Sequence, residues 1–109
     1  MKTVKIALLG FGTVAQGTFN LLQDNANLIE NRSGVTIEIS KIFVRNPEKY
    51  SHITLPSTAK YVTNIDDIVN DESIDIVVEL MGGTTFAKDC VESALKHGKS
   101  VVTANKDLL

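Results

Sequence analysis

Gly10, Gly12 and Ala15 in the stretch GFGTVA have the spacing of a turn that can hold a pyrophosphate. Gly10 permits a tight turn, Gly12 leaves room for phosphate against the backbone, and the small Ala15 lets a following helix pack close to the preceding strand. The free amides at the start of that helix, around Thr13 and Val14, point at an anion with the helix dipole behind them. The same spacing also describes a turn with no ligand, so its weight comes from the strand before it and the helix after it. No GxxxxGK[ST] loop occurs, which disfavours a P-loop nucleotidase.

Three further stretches carry polar or small residues where strands end. In FVRN, Arg45 stands where an acidic residue would accept hydrogen bonds from an adenosine ribose. A guanidinium there suits a 2′-phosphate, which favours NADP and leaves NAD possible. A solvated surface arginine is the alternative, and Lys60 is a second candidate charge nearby. In VVELMGG, Glu79 ends an apolar strand and needs hydrogen-bond donors or a cation if buried. Amides of the glycine loops, or Lys106, would serve, whether the role is structural or a ligand contact. Met81, Gly82 and Gly83 would face the ribose or nicotinamide side, where small residues allow close backbone approach. Asn105 and Lys106 follow the last apolar run and would emerge at the same end of the sheet.

The elements that must position these residues follow from periodicity. Val4 to Leu9, Val35 to Val44, Tyr61 to Thr63, Ile74 to Met81 and Ser100 to Ala104 read as strands. One helix of about five turns runs from Thr13, with apolar positions at Val14, Thr18, Leu21 or Leu22, Ala26 and Ile29, and stops at Gly34. The stretch from Glu48 to Asn64 has poor periodicity and reads as a loop entering the short third strand, and Asn64 caps a helix over Ile65 to Asp71. Thr84 or Thr85 caps another, with Phe86, Cys90, Ala94 and Ala87, Val91, Leu95 as two adjoining rows and Gly98 as its stop. Strand and helix alternating along the chain means a parallel sheet with helices on its faces: an α/β, Rossmann-like, doubly wound, three-layer αβα fold. Ligands bind such sheets beyond the carboxyl ends of the strands, where the strand order reverses.

The composition agrees with one ordered domain over residues 1–109: 43% hydrophobic, 22% charged, two prolines and no low-complexity stretch. A net charge of -2 gives no basic footprint for nucleic acid. The longest apolar run is too short for a membrane span, and the amino terminus leads into a strand rather than a signal peptide, so a cytoplasmic protein is expected. A single cysteine and two distant histidines, His52 and His97, make no disulfide or metal site. Cys90 reads as core filler, His97 as a complement to a helix carboxyl end, and the acidic group Asp66, Asp67, Asp71 and Glu72 as a solvated face.

Taken together, LLGFGTVAQG, VVELMGG and ALKHGKSVVTANKDLL resemble the amino-terminal part of homoserine dehydrogenases, whose members carry a GxGTVG loop, a VxELxGG strand end and a closing TANK. Ala15 in place of the third glycine is the one departure. The resemblance implies the dinucleotide-binding part of an NAD(P)-dependent oxidoreductase that interconverts aspartate semialdehyde and homoserine in threonine and methionine biosynthesis. It implies that Phe11, Thr13 and Val14 contact the cofactor, Arg45 the 2′-phosphate, and Lys106 the junction of nicotinamide and substrate, as a catalytic cation. A following domain, absent here, would carry a second lysine and the acidic residues that hold the small-molecule substrate. The chain is therefore expected to bind cofactor without turnover, and its parent to be a homo-oligomer. A stand-alone dinucleotide-binding module, or the first domain of an aspartate dehydrogenase-like enzyme, are the other readings.

Overall fold

Five parallel strands lie in the order β3-β2-β1-β4-β5. They are β1 (Lys2–Leu9), β2 (Val35–Phe43), β3 (Lys60–Val62), β4 (Ile76–Glu79) and β5 (Ser100–Thr103). Four helices connect them: α1 (Thr13–Asp24) and α2 (Ala26–Ser33) between β1 and β2, α3 (Asp66–Val69) between β3 and β4, and α4 (Thr85–Lys96) between β4 and β5. The computed structural model describes residues 2–83 and 85–103, so the capping role assigned to Thr84 and the end of the last strand at Ala104 lie outside the described residues. Among the described residues no helix is long and apolar enough to cross a membrane.

β1 is central, and its last four residues, Ile6 to Leu9, are buried. Alternate side chains feed two cores, as a sheet covered on both faces requires. Ile6, Leu8, Ala15, Phe19, Ile39, Ile42 and Val44 pack on the α1 side. Ala7, Leu9, Phe43, Val77, Cys90 and Ala94 pack with Ile68 and Val69 of α3 on the α4 side. The three-layer αβα arrangement expected from the strand and helix alternation is what forms.

β2 carries a bulge. Its pairing with β1 runs Ile6 to Ile39 and then Ala7 to Lys41, leaving Ser40 unmatched. Ile37, Ile39, Ile42 and Val44 therefore reach the same core despite the change from odd to even numbers.

Three elements differ from the sequence reading. The long first helix is broken at Asn25, whose backbone N–H and side-chain amide both donate to the Leu21 carbonyl, at 3.1 Å and 2.8 Å. Doubling on one acceptor closes α1, and Ile29 N–H then bonds back to the Asn25 carbonyl to open α2. The Glu48 to Asn64 segment is also more structured than expected. Asn46 caps a 3-10 turn over Pro47–Tyr50, and Tyr50, Ile53, Leu55 and Ala59 pack against the α1-side core. α3 is shorter than the expected Ile65 to Asp71 and its N-cap is Ile65; Asn64 lies one residue earlier, its Oδ1 accepting the Asp66 N–H at 2.9 Å.

At the far end of the sheet from the glycine loop, Asp71 ties α3 to β2. It accepts the Ser73 hydroxyl at 2.6 Å and the Lys41 ammonium at 2.9 Å. These two hydrogen bonds, Ser73's first, hold its carboxyl well below the usual carboxylate range. Buried Lys99 adds a strut, donating to the Asp71 and Ile74 carbonyls. Asp71→Asn is expected to cost about 1 kcal/mol at pH 7. Because the folded-state pKa is lowered, the carboxylate's contribution is whole above the unfolded value near about 4 and is lost as pH falls below it. Urea midpoints of the two proteins should therefore converge on acidification; a gap that persists unchanged at about pH 2 would contradict the role given to this charge.

Candidate functional site

The chain builds β1 to β3 outward and then returns to place β4 beside β1, so the strand order reverses between β1 and β4. The two loops that leave these strands meet there. Gly10 N–H bonds to the Phe43 carbonyl of β2 at 2.9 Å, and Leu80 N–H bonds to the Leu9 carbonyl at 3.1 Å. Gly10 has φ +93°, and a Cβ built on it would lie 2.9 Å from Met81 Cγ. Both the turn and the contact between loops therefore require glycine at this position.

Gly12 is a different case. Its φ of -72° suits any residue, and a Cβ there would meet nothing within 4 Å. Nothing in the described chain demands its smallness; a ligand lying against the backbone would. Gly12 is the N-cap of α1, and the first intrahelical bond runs from Gln16 N–H to the Gly12 carbonyl at 2.9 Å. The amides of Thr13, Val14 and Ala15 precede it and have no intrahelical acceptor. Among the described residues no side chain caps this end and no acidic residue occupies the first turn. The resulting cradle of N–H groups with a helix dipole behind it fits a pyrophosphate. Ala15 is fully buried beneath it, so the helix start lies tight against the sheet.

A cleft of about 400 Å³ opens beside Gly10, between the end of β2 and the start of α4, with Arg45, Lys49, Tyr50, Met81 and Phe86 in its wall. Arg45 follows β2 and is exposed. Among the described residues no carboxylate pairs with it, and its guanidinium lies 5.1 Å from the centre of the Phe86 ring. Lys49 sits 5.9 Å from the Tyr50 ring, adding a second cation to the same wall. Lys60 is exposed at the start of edge strand β3 and does not line the cleft.

Glu79 is fully buried at the end of β4. One carboxylate oxygen accepts the Met81 N–H, and the other accepts the Thr103 hydroxyl of β5 at 2.7 Å. These two bonds tie the Met81 backbone, just past β4, to β5. Gly82 and Gly83 are exposed, with open space where a side chain would be.

The remaining sequence candidates fall as follows. Thr13 and Val14 are exposed at the start of α1, in reach of a ligand on its amides. The Phe11 ring, by contrast, is buried among Phe19, Tyr50 and Tyr61 at centroid distances of 5.6 to 5.9 Å, which leaves its backbone to line the cleft. Asn105 and Lys106 lie outside the described residues. Cys90 is core, and burial pushes its thiol up to about 11. His97 Nδ1 bonds to the Ser93 carbonyl at 2.7 Å, inside the last turn of α4. Sequence reasoning missed Phe86, read as part of the α4 core row, and the cleft residues Lys49 and Tyr50. The Asn-Pro cap of the 3-10 turn was the available signal for the last two.

Residues 10–109 match the family described as homoserine dehydrogenase, NAD binding domain. The homoserine dehydrogenase of Pseudomonas aeruginosa is 46% identical over 110 residues, an overlap of 100% of this chain and 24% of that protein. Among solved structures, the Thiobacillus denitrificans homoserine dehydrogenase superposes with a TM-score of 0.88 at 44% identity, covering 99% of this chain and 25% of that one. One S. aureus homoserine dehydrogenase structure gives a TM-score of 0.89 at 38% identity, over 98% and 26%. The chain thus spans about a quarter of the length of the relatives it matches.

Proposed function

Because the chain belongs to the homoserine dehydrogenase NAD-binding domain family, we propose that it holds NADP, and NAD less well, for an enzyme that interconverts L-aspartate 4-semialdehyde and L-homoserine. The observation that carries the binding reading is Gly12: a glycine demanded neither by backbone conformation nor by any neighbour, at a helix start whose amides are uncapped. When bound, the cofactor supplies the hydride chemistry. The residues of this chain bind and orient. The α1 amides take the pyrophosphate, Gly82 and Gly83 leave room for the nicotinamide ribose, and Arg45 takes the 2′-phosphate. Asn105 and Lys106 come after β5 in sequence, and the proposed role of Lys106 is to hold positive charge near the substrate carbonyl oxygen. The TANK resemblance supports that role.

A thermal-shift titration of the 109-residue chain with NADPH and NADH tests this reading. At a hundredfold excess over its Kd, a ligand of the folded state adds about 2.7 kcal/mol of stability. Absence of a shift with both cofactors at millimolar concentration would overturn it. For the 2′-phosphate role, Arg45→Ala is expected to weaken NADPH about tenfold while changing NADH little, as loss of one charge-assisted contact predicts. Equal binding of NADPH by variant and parent would remove Arg45 from the site.

A further inference from the structure

Arg45 and Phe86 come from opposite sides of the cleft, one following β2 and the other in the first turn of α4. Phe86 is 39% exposed, a large aromatic side chain that the core does not account for. Its ring is set against Phe43, the buried last residue of β2, with centroids 5.7 Å apart. The ring thus meets both a core residue and the Arg45 guanidinium.

We propose that Phe86 is a positioning residue for cofactor discrimination: its ring holds the Arg45 guanidinium at the cleft so that a 2′-phosphate meets an arginine already in place. The inference rests on the reading of Arg45 given above. A free arginine has many rotamers, and confining it before the ligand arrives reduces the entropy lost on binding. An aromatic face does this without a competing acceptor atom, because it attracts the cation through its quadrupole. A carboxylate in its place would occupy the N–H donors and repel the phosphate. Among the described residues Arg45 has no ion-pair partner, so its donors are open to a ligand.

The test is the ratio of NADPH to NADH affinity, measured by calorimetry on the chain and its Phe86→Leu, Phe86→Tyr and Arg45→Ala variants. Phe86→Leu is expected to lower the ratio about two- to fivefold, the range expected for an exposed cation–π contact. Phe86→Tyr keeps the ring and should restore it. In the Arg45→Ala background, Phe86→Leu should leave the ratio unchanged. If Phe86→Leu weakened both cofactors equally, Phe86 would be only a wall of the cleft and the proposal would fail while the Arg45 reading stood. If Arg45→Ala itself left the ratio unchanged, both would fail. Should the leucine variant not fold, Phe86→Met removes the ring at similar volume and answers the same question.

Discussion

Gly12→Ser is expected to leave the chain as stable as before, or slightly more so, and to remove most of its response to a dinucleotide. Serine is among the preferred N-cap residues, and the Gly12 dihedrals, φ -72° and ψ -167°, are those of a normal N-cap. The added side chain meets nothing in the described protein. It does fill the space over the α1 amides, and its hydroxyl can accept from one of them. The pyrophosphate then loses both room and a charge-assisted donor, worth about 2–3 kcal/mol or roughly 30- to 150-fold in affinity. Thermal melts with and without NADPH read both quantities at once. A variant that bound NADPH as tightly as the parent would place the pyrophosphate elsewhere.

The opposite behaviour is expected of Glu79→Ala, which should cost stability first. The carboxylate is fully buried and is the acceptor for the Met81 N–H and the Thr103 hydroxyl. Truncation removes the acceptor that the Met81 N–H and the Thr103 hydroxyl share and leaves a void between β4, β5 and the glycine loop, a loss of about 3–4 kcal/mol. In a domain of this size that corresponds to a fall of roughly 10–20 °C in Tm. Glu79→Gln keeps an acceptor for Met81 and should lose less than half as much. A melting temperature for Glu79→Ala within a few degrees of the parent would mean that water or another group takes over both donors. Met81 contacts Gly10, so cofactor affinity should fall as well, yet at temperatures where the variant is still folded.

Local rules were enough to read the glycine loop, because a strand end, a positive-φ turn and a helix start are specified within six residues, Gly10 to Ala15. Buried strands were equally readable: β1 and β4 are aliphatic on both faces, as parallel strands under helices must be. The break at Asn25 was hidden because Ala26 and Ile29 keep the apolar period across it, while the signal is a doubled hydrogen bond on one carbonyl. Around Tyr50, Ile53 and Leu55, burial follows the path of an irregular chain, so no period exists to be found. Phe86 failed for a geometric reason. It was grouped with Cys90 and Ala94 by four-residue spacing, but the buried arc of α4 runs Ala87, Cys90, Ala94, and Phe86 lies one helical step outside it. Arg45 could be read as a cation at a strand end, whereas its aromatic support depends on a contact 41 residues away in sequence.

Unmatched Ser40 has an effect that reaches the end of its strand. In a strand, odd and even positions face opposite ways, so one extra residue reverses the phase of everything after it. Ile37 and Ile39 point to the α1 side; without the insertion Phe43 and Arg45, also odd, would point there too. With it, Phe43 joins the α4-side core and Arg45 arrives at Phe86. On the proposed role of Arg45, phosphate recognition is set by a parity bit five residues upstream, and gain or loss of one residue at that point is expected to change cofactor choice without altering any residue in the cleft.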